Sequence, residues 1–102
     1  MINELEYKEY QKMKLAQAKR ERDQYIKRMS RNWRAKGENL RKIREGLRIS
    51  RREIAQTIGA ADSVLMRLET GGAIQRRPVI EQSYKMAMKL IQFERREAAG
   101  LI

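Results

Sequence analysis

The chain has no cysteine, no histidine and a single proline among its 102 residues. Without cysteine there are no disulfides or thiolate metal sites, and without histidine the commonest metal ligand and general base is missing. No apolar run approaches the roughly 18 residues that a membrane span needs. The opening MINELEYKEY carries acids of a kind that a signal peptide lacks, so residence in the cytoplasm is expected. Alternating β-branched runs and Asn-Gly or Asp-Gly hairpin turns are absent, which leaves little room for strands. Also absent are a Gly-rich phosphate loop with its lysine, a nucleophile beside a base, and a cluster of metal-ligating residues. No enzyme activity, no cofactor and no bound metal are therefore expected.

What the chain does have is positive charge. Twenty-four Lys and Arg against 13 acids give a net charge of +11, which points to a polyanionic partner. The excess is uneven. Residues 1–37 hold 11 basic and 5 acidic side chains, residues 38–75 hold 7 and 5, and residues 76–102 hold 6 and 3. Flanking segments can thus neutralise phosphates while a milder centre selects sequence.

Pro78 and the six glycines divide a chain that otherwise reads as helix. Residues 1–37 are expected to form a basic helical arm, and residues 38–102 one domain. Within the arm Ile26, Met29 and Trp33 lie at i, i+3 and i+7, beside a basic stripe of Arg20, Lys27, Arg31 and Arg34. No heptad persists over three repeats of the arm, so a long coiled coil is not expected there. The arm is open to two readings: a basic element that reaches duplex phosphates, or a solvated helix packed through Trp33. A second protein is the alternative partner for it, and a membrane surface is disfavoured by charges that interrupt the apolar face.

The centre is more specific. Leu40 and Ile43 give one helix an inner stripe. Ser50 followed by Glu53 is a capping box that starts a second helix at Arg51, with Ile54, Ala55 and Ile58 on its inner side. Gly59 supplies the left-handed turn that follows. A third helix over residues 62–70 carries Leu65 and Leu68 inward and ends at Gly71. Beyond Pro78, Ile80, Tyr84, Ala87, Met88 and Ile91 share one face of a last helix. That helix is expected to close the core, join two subunits, or do both, and Tyr84, Met88 and Ile91 are the candidate dimer contacts.

Ile43, Arg44, Ser50, Glu53, Ile54, Ala55, Ile58, Gly59, Leu65, Leu68, Glu69 and Gly71 together resemble the helix-turn-helix of the lambda-repressor-like family, the Cro and phage-repressor type often called XRE. The likeness covers about a third of the chain closely. It implies an all-α fold with a compact five-helix domain, a bacterial or phage origin, and a third helix that reads the DNA major groove. By position Asp62, Ser63, Met66 and Arg67 would face base edges, and Arg44, Arg51, Arg52, Arg76 and Arg77 would contact phosphates. Arg67 is the candidate guanine reader, since its planar fork matches O6 and N7, although a salt bridge or a plain phosphate contact would also employ it.

Ala61 stands where the family usually caps the third helix with Ser or Thr. Asp62 therefore has two readings: a cap shifted forward by one residue, or an acceptor for cytosine N4. The resulting expectation is a homodimeric regulator that binds double-stranded DNA by sequence. The competing one is an adaptor or antirepressor that uses the same framework to hold another protein.

Overall fold

Asn3 opens the first helix by accepting a hydrogen bond from the Glu6 amide at 2.8 Å, with Glu4 and Glu6 in the first turn where the helix dipole favours acids. The computed structural model describes residues 3–101; Met1, Ile2 and Ile102, at the outer ends of the two expected segments, lie outside the described residues. Helix α1 runs without a break from Glu4 to Gly46, followed by α2 (Arg51–Ile58), α3 (Asp62–Thr70) and α4 (Arg77–Ala98). Among the described residues there is no strand.

This corrects the expected compact five-helix domain. The described residues form four helices, and they span 77 × 24 × 17 Å. Two physical causes account for the difference. The run before residue 37 is built of good helix formers and holds no proline, so the arm and the first helix of the domain fuse into one rod. After Gly72 the chain forms one 22-residue helix.

Gly37, the expected boundary between arm and domain, interrupts nothing. It is buried inside α1, where a Cβ would fall on the Leu68 carbonyl oxygen and come within 2.8 Å of the Glu69 carbonyl carbon. Its lack of a side chain lets α1 touch the backbone of α3. Gly71 makes the reciprocal approach: it ends α3 at φ 83°, and a Cβ there would lie 2.7 Å from the Arg34 Cα. Two glycines thus set the α1–α3 distance.

The core is small and continuous. Leu40, Ile49, Ile54, Ala55, Leu65, Leu68, Tyr84, Ala87, Met88 and Ile91 are buried together, with Leu47, Ile58, Ile74 and Ile80 packed at its edge. Tyr84, Met88 and Ile91 are therefore core residues, Tyr84 completely so. They cannot be the dimer contacts expected of them, because the face of α4 that carries them already covers α2 and α3.

Residues 4–25 of α1 are all exposed, and contact with the rest of the chain begins at half-buried Ile26, Met29 and Trp33. Trp33 meets Tyr25 edge to face at 6.2 Å, while Arg77 stacks over its ring at 5.2 Å. Arg77 also donates to the Gly72 carbonyl at 2.7 Å and to Glu81 at 3.4 Å. One arginine thereby ties α1, the exit of α3 and the first turn of α4. At the other end of the domain Arg95 donates to the carbonyls of Leu47 and Arg48 and to the Glu53 carboxylate. It satisfies backbone acceptors that the end of α1 leaves open. No helix among the described residues is long and apolar enough to cross a membrane.

Candidate nucleic-acid interface

Helices α2 and α3 meet across a three-residue turn. Ser50 starts α2 by accepting from the Glu53 amide at 3.0 Å, and Gly59 ends it in the left-handed region at φ 70°. The capping box is half formed, because the Glu53 carboxylate turns to Arg95 and not to the Ser50 amide. Buried Leu65, Leu68 and Glu69 hold α3 against the core. That register turns Asp62, Ser63, Met66 and Arg67 to solvent together, on the side of α3 away from the core.

The third helix starts at Asp62, and its cap residue is Ala61, which makes no side-chain cap bond. Of the two readings of Asp62, the shifted cap is corrected: it is the first helical residue, and its carboxylate faces sideways to α2. Arg51 donates Nε to Asp62 Oδ1 at 3.0 Å and Nη2 to Oδ2 at 3.3 Å. This fork joins the N-terminal ends of α2 and α3, the two ends that the helix dipoles make attractive to anions. The hydrogen bond from Arg51 holds the Asp62 carboxyl below its usual range, and the same bond raises the pKa of Arg51. An acid leads the third helix because an arginine of the second is waiting for it.

Among the arginines expected on phosphates, the structure separates two groups. Arg52 and Arg76 are exposed, and Arg51 is partly exposed while engaged with Asp62. Arg44 is buried. Its Nε donates to Glu69 Oε2 and to the Tyr84 hydroxyl, both at 2.9 Å, its Nη2 to Glu69 Oε1 at 3.1 Å, and its Nη1 to the Ile49 carbonyl at 2.9 Å. Arg77 is buried as well, against Trp33 and Gly72. Neither Arg44 nor Arg77 can reach a phosphate, since their guanidinium groups are enclosed and already committed to partners in the protein. Arg44 also displaces Ile43 from the inner stripe: Leu40 and Arg44, four residues apart, face the core, and Ile43 is 44% exposed.

The Tyr84 hydroxyl closes the buried network by donating to Glu69 Oε2 at 2.6 Å. Burial works against the Arg44 charge, but the Glu69 carboxylate more than offsets it, and its pKa is raised. Burial, followed by the bond to Glu69, pushes the Tyr84 hydroxyl well above its ordinary value. The sign follows from linkage. A phenol that resists ionisation in the fold adds stability below its unfolded pKa of about 10, and that stability is lost as pH rises through the folded pKa. Alkaline titration followed by circular dichroism is expected to show stability falling from about pH 10 upward. Tyr84→Phe should flatten that slope, and an unchanged slope would show that Tyr84 is not the group responsible.

The arm stripe of Arg20, Lys27, Arg31 and Arg34 is exposed along one side of α1. Arg34 sits where α1 abuts Gly71, so the stripe starts beside the exit of α3 and runs outward. Residues 12–36 hold 10 basic side chains and 2 acids. Among the described residues there is no group of His, Cys, Asp or Glu suited to a metal ion. Sequence reasoning missed the buried network, the Arg95 clamp and the role of Gly37. The first had a signal in the spacing of Leu40 and Arg44, and the last in a lone glycine inside a helix-forming run. No protein-family model, no curated protein and no solved structure matches the chain.

Proposed function

We propose that this protein is a sequence-specific double-stranded DNA-binding regulator of the lambda-repressor-like helix-turn-helix type, with α3 as the element that enters the major groove. The observation that carries this reading is the joint exposure of Asp62, Ser63, Met66 and Arg67 on a helix whose opposite side is buried. Arg67 reads a guanine edge, Ser63 bonds a base or phosphate, and Met66 meets a thymine methyl. Arg51, Arg52 and Arg76 hold phosphates, with Arg51 exchanging Asp62 for the backbone at small cost, since solvent-exposed ion pairs contribute little to stability. The arm stripe adds sequence-independent affinity.

Selection of bound duplexes from a random pool, using the full chain, tests the proposal; a pool with no enriched sequence would overturn it. On the enriched site Arg67→Ala is expected to cost about 1–3 kcal/mol and to relax discrimination at one base pair. Replacing Arg20, Lys27, Arg31 and Arg34 together with glutamine is expected to leave the preferred sequence unchanged. It should flatten the dependence of log K on log salt by up to about 0.9 for each phosphate that the arm no longer neutralises.

A second reading, an adaptor or antirepressor that binds another protein, is favoured by the Arg51–Asp62 pair, which neutralises the leading edge of α3. Under it, alanine at Arg51 and Arg67 would leave function intact.

A further inference from the structure

Between α1 and the segment that joins α3 to α4 lies a hollow of about 540 Å³, within the size range of small-molecule sites. Tyr25, Ile26, Met29 and Trp33 of α1 form one apolar wall, and Ile74 and Pro78 stand opposite. Four cations also line it: Arg22, Lys36, Arg76 and Arg77. Two of them have acids of their own, since Asp23 pairs with Arg22 at 3.1 Å and Glu81 with Arg77 at 3.4 Å. Among the described residues Lys36 and Arg76 form no ion pair, so four cations less two acids leave an excess of two positive charges. Helix α4 starts at the rim with neither a capping side chain nor an acid in its first turn, which adds the positive end of its dipole.

The hollow also holds an unmet donor. Arg77 is 6% exposed, and its Nε is the only buried side-chain nitrogen or oxygen among the described residues without a hydrogen-bond partner. An enclosed N–H with no acceptor is costly, and native folds leave few of them. The 3.4 Å contact with Glu81 is long for a hydrogen bond, so a small shift of the guanidinium presents Nε to an acceptor inside the hollow. The rim of a duplex cannot enter this space. A small molecule can.

We infer that the hollow binds a nucleotide, with the base against the α1 rings and the phosphate on Lys36 and Arg76. A phosphomonoester carries about two negative charges near neutral pH, which match the two unpaired cations. The base packs against Tyr25, Met29 and Trp33. Its ring nitrogens or carbonyls are acceptors that a plain phenyl ring lacks, and they serve Arg77 Nε and the side-chain amide of Asn32, which also lines the hollow. Other gatherings of rings or cations lack this combination. Tyr10 and Lys14 meet at 5.5 Å farther out on α1, on a bare helix with no opposite wall. The hollow beside Ala61 and Val64 has Arg67 and Arg76 but no aromatic ring and no unmet donor.

The inference does not rest on duplex binding, and its test uses the full chain without duplex. Trp33 is the only tryptophan, so its fluorescence reports on this hollow alone. Titration with AMP is expected to give a saturable change with a dissociation constant between about 10 μM and 1 mM, as two charge-assisted contacts and one packed ring would supply. Inorganic phosphate, adenosine and phenyl phosphate lack the base, the phosphate and the ring acceptors in turn, and each should bind at least about 10-fold more weakly. Lys36→Gln with Arg76→Gln should weaken AMP binding by at least about 10-fold at an unchanged melting temperature, because both side chains are exposed. Lys12→Gln with Lys89→Gln removes the same charge away from the hollow and should shift binding by less than about 2-fold. A 5′-phosphorylated dinucleotide that binds more tightly than AMP would place the nucleotide at the end of a strand, and weaker binding would keep it free in solution. No saturable change up to about 10 mM AMP, any of the three partial ligands binding as well as AMP, or a variant at 36 and 76 that binds like the parent would each overturn the inference.

Discussion

Glu69→Ala is expected to destabilise the fold by about 3–5 kcal/mol, the cost of leaving one charge of a buried pair without its partner. Glu69 is 4% exposed and receives three hydrogen bonds, two from Arg44 and one from Tyr84. Its removal leaves a buried guanidinium with hydrogen bonds to the Ile49 carbonyl and the Tyr84 hydroxyl, and with exposed Glu45 at 3.9 Å as its remaining carboxylate. For a domain with a core of this size the loss approaches the whole of the expected stability. Chemical denaturation at neutral pH measures it. The control is Glu69→Leu combined with Arg44→Met and Tyr84→Phe, which removes both charges and the hydroxyl that bonds them; it should recover most of the loss, because replacing a buried polar network by apolar side chains is often neutral or better. A single variant as stable as the parent would mean that the network contributes nothing.

Gly37→Ala is the second large effect, and its sign is opposite to the usual one. In a helix interior alanine is favoured over glycine by about 1 kcal/mol. Here the added methyl would overlap the Leu68 carbonyl oxygen and press on Glu69, both of them backbone, which cannot swing aside as a side chain would. Overpacking of this kind costs about 1–3 kcal/mol and sometimes more. Net destabilisation of roughly 2 kcal/mol is expected, accompanied by separation of α1 from α3. Gly46→Ala, in the same helix with open space around its Cβ position, is the reference and should stabilise the protein. If both substitutions stabilise, the close approach of the two helices is wrong.

Much of the domain was legible in the sequence because it depends on local rules. The Ser50 cap, the left-handed Gly59, the inner leucines of α3 and the stop at Gly71 each follow from one residue type in one place. The buried face of α4 was equally plain from periodicity. What failed was inference about charged residues. Arg44 and Arg77 look in sequence like every other arginine of a basic protein, and only tertiary partners 25 residues away, or an aromatic ring on another helix, decide that they are internal. Of the two readings of Asp62, the cap one does not hold for the same reason, since its partner Arg51 belongs to the preceding helix. Length was misjudged too. A glycine in a charged run reads as a joint until the structure supplies the carbonyl that occupies its missing side chain.

That absence of a joint has a mechanical meaning. From Glu4 to Trp33 the rod is about 45 Å long at 1.5 Å per residue, and it is held at its inner end by contacts with α3 and the start of α4. Because Gly37 and Gly71 bring the backbones of α1 and α3 together there, the direction in which the rod leaves the domain is set by the same contact that seats the helix carrying Ser63 and Arg67.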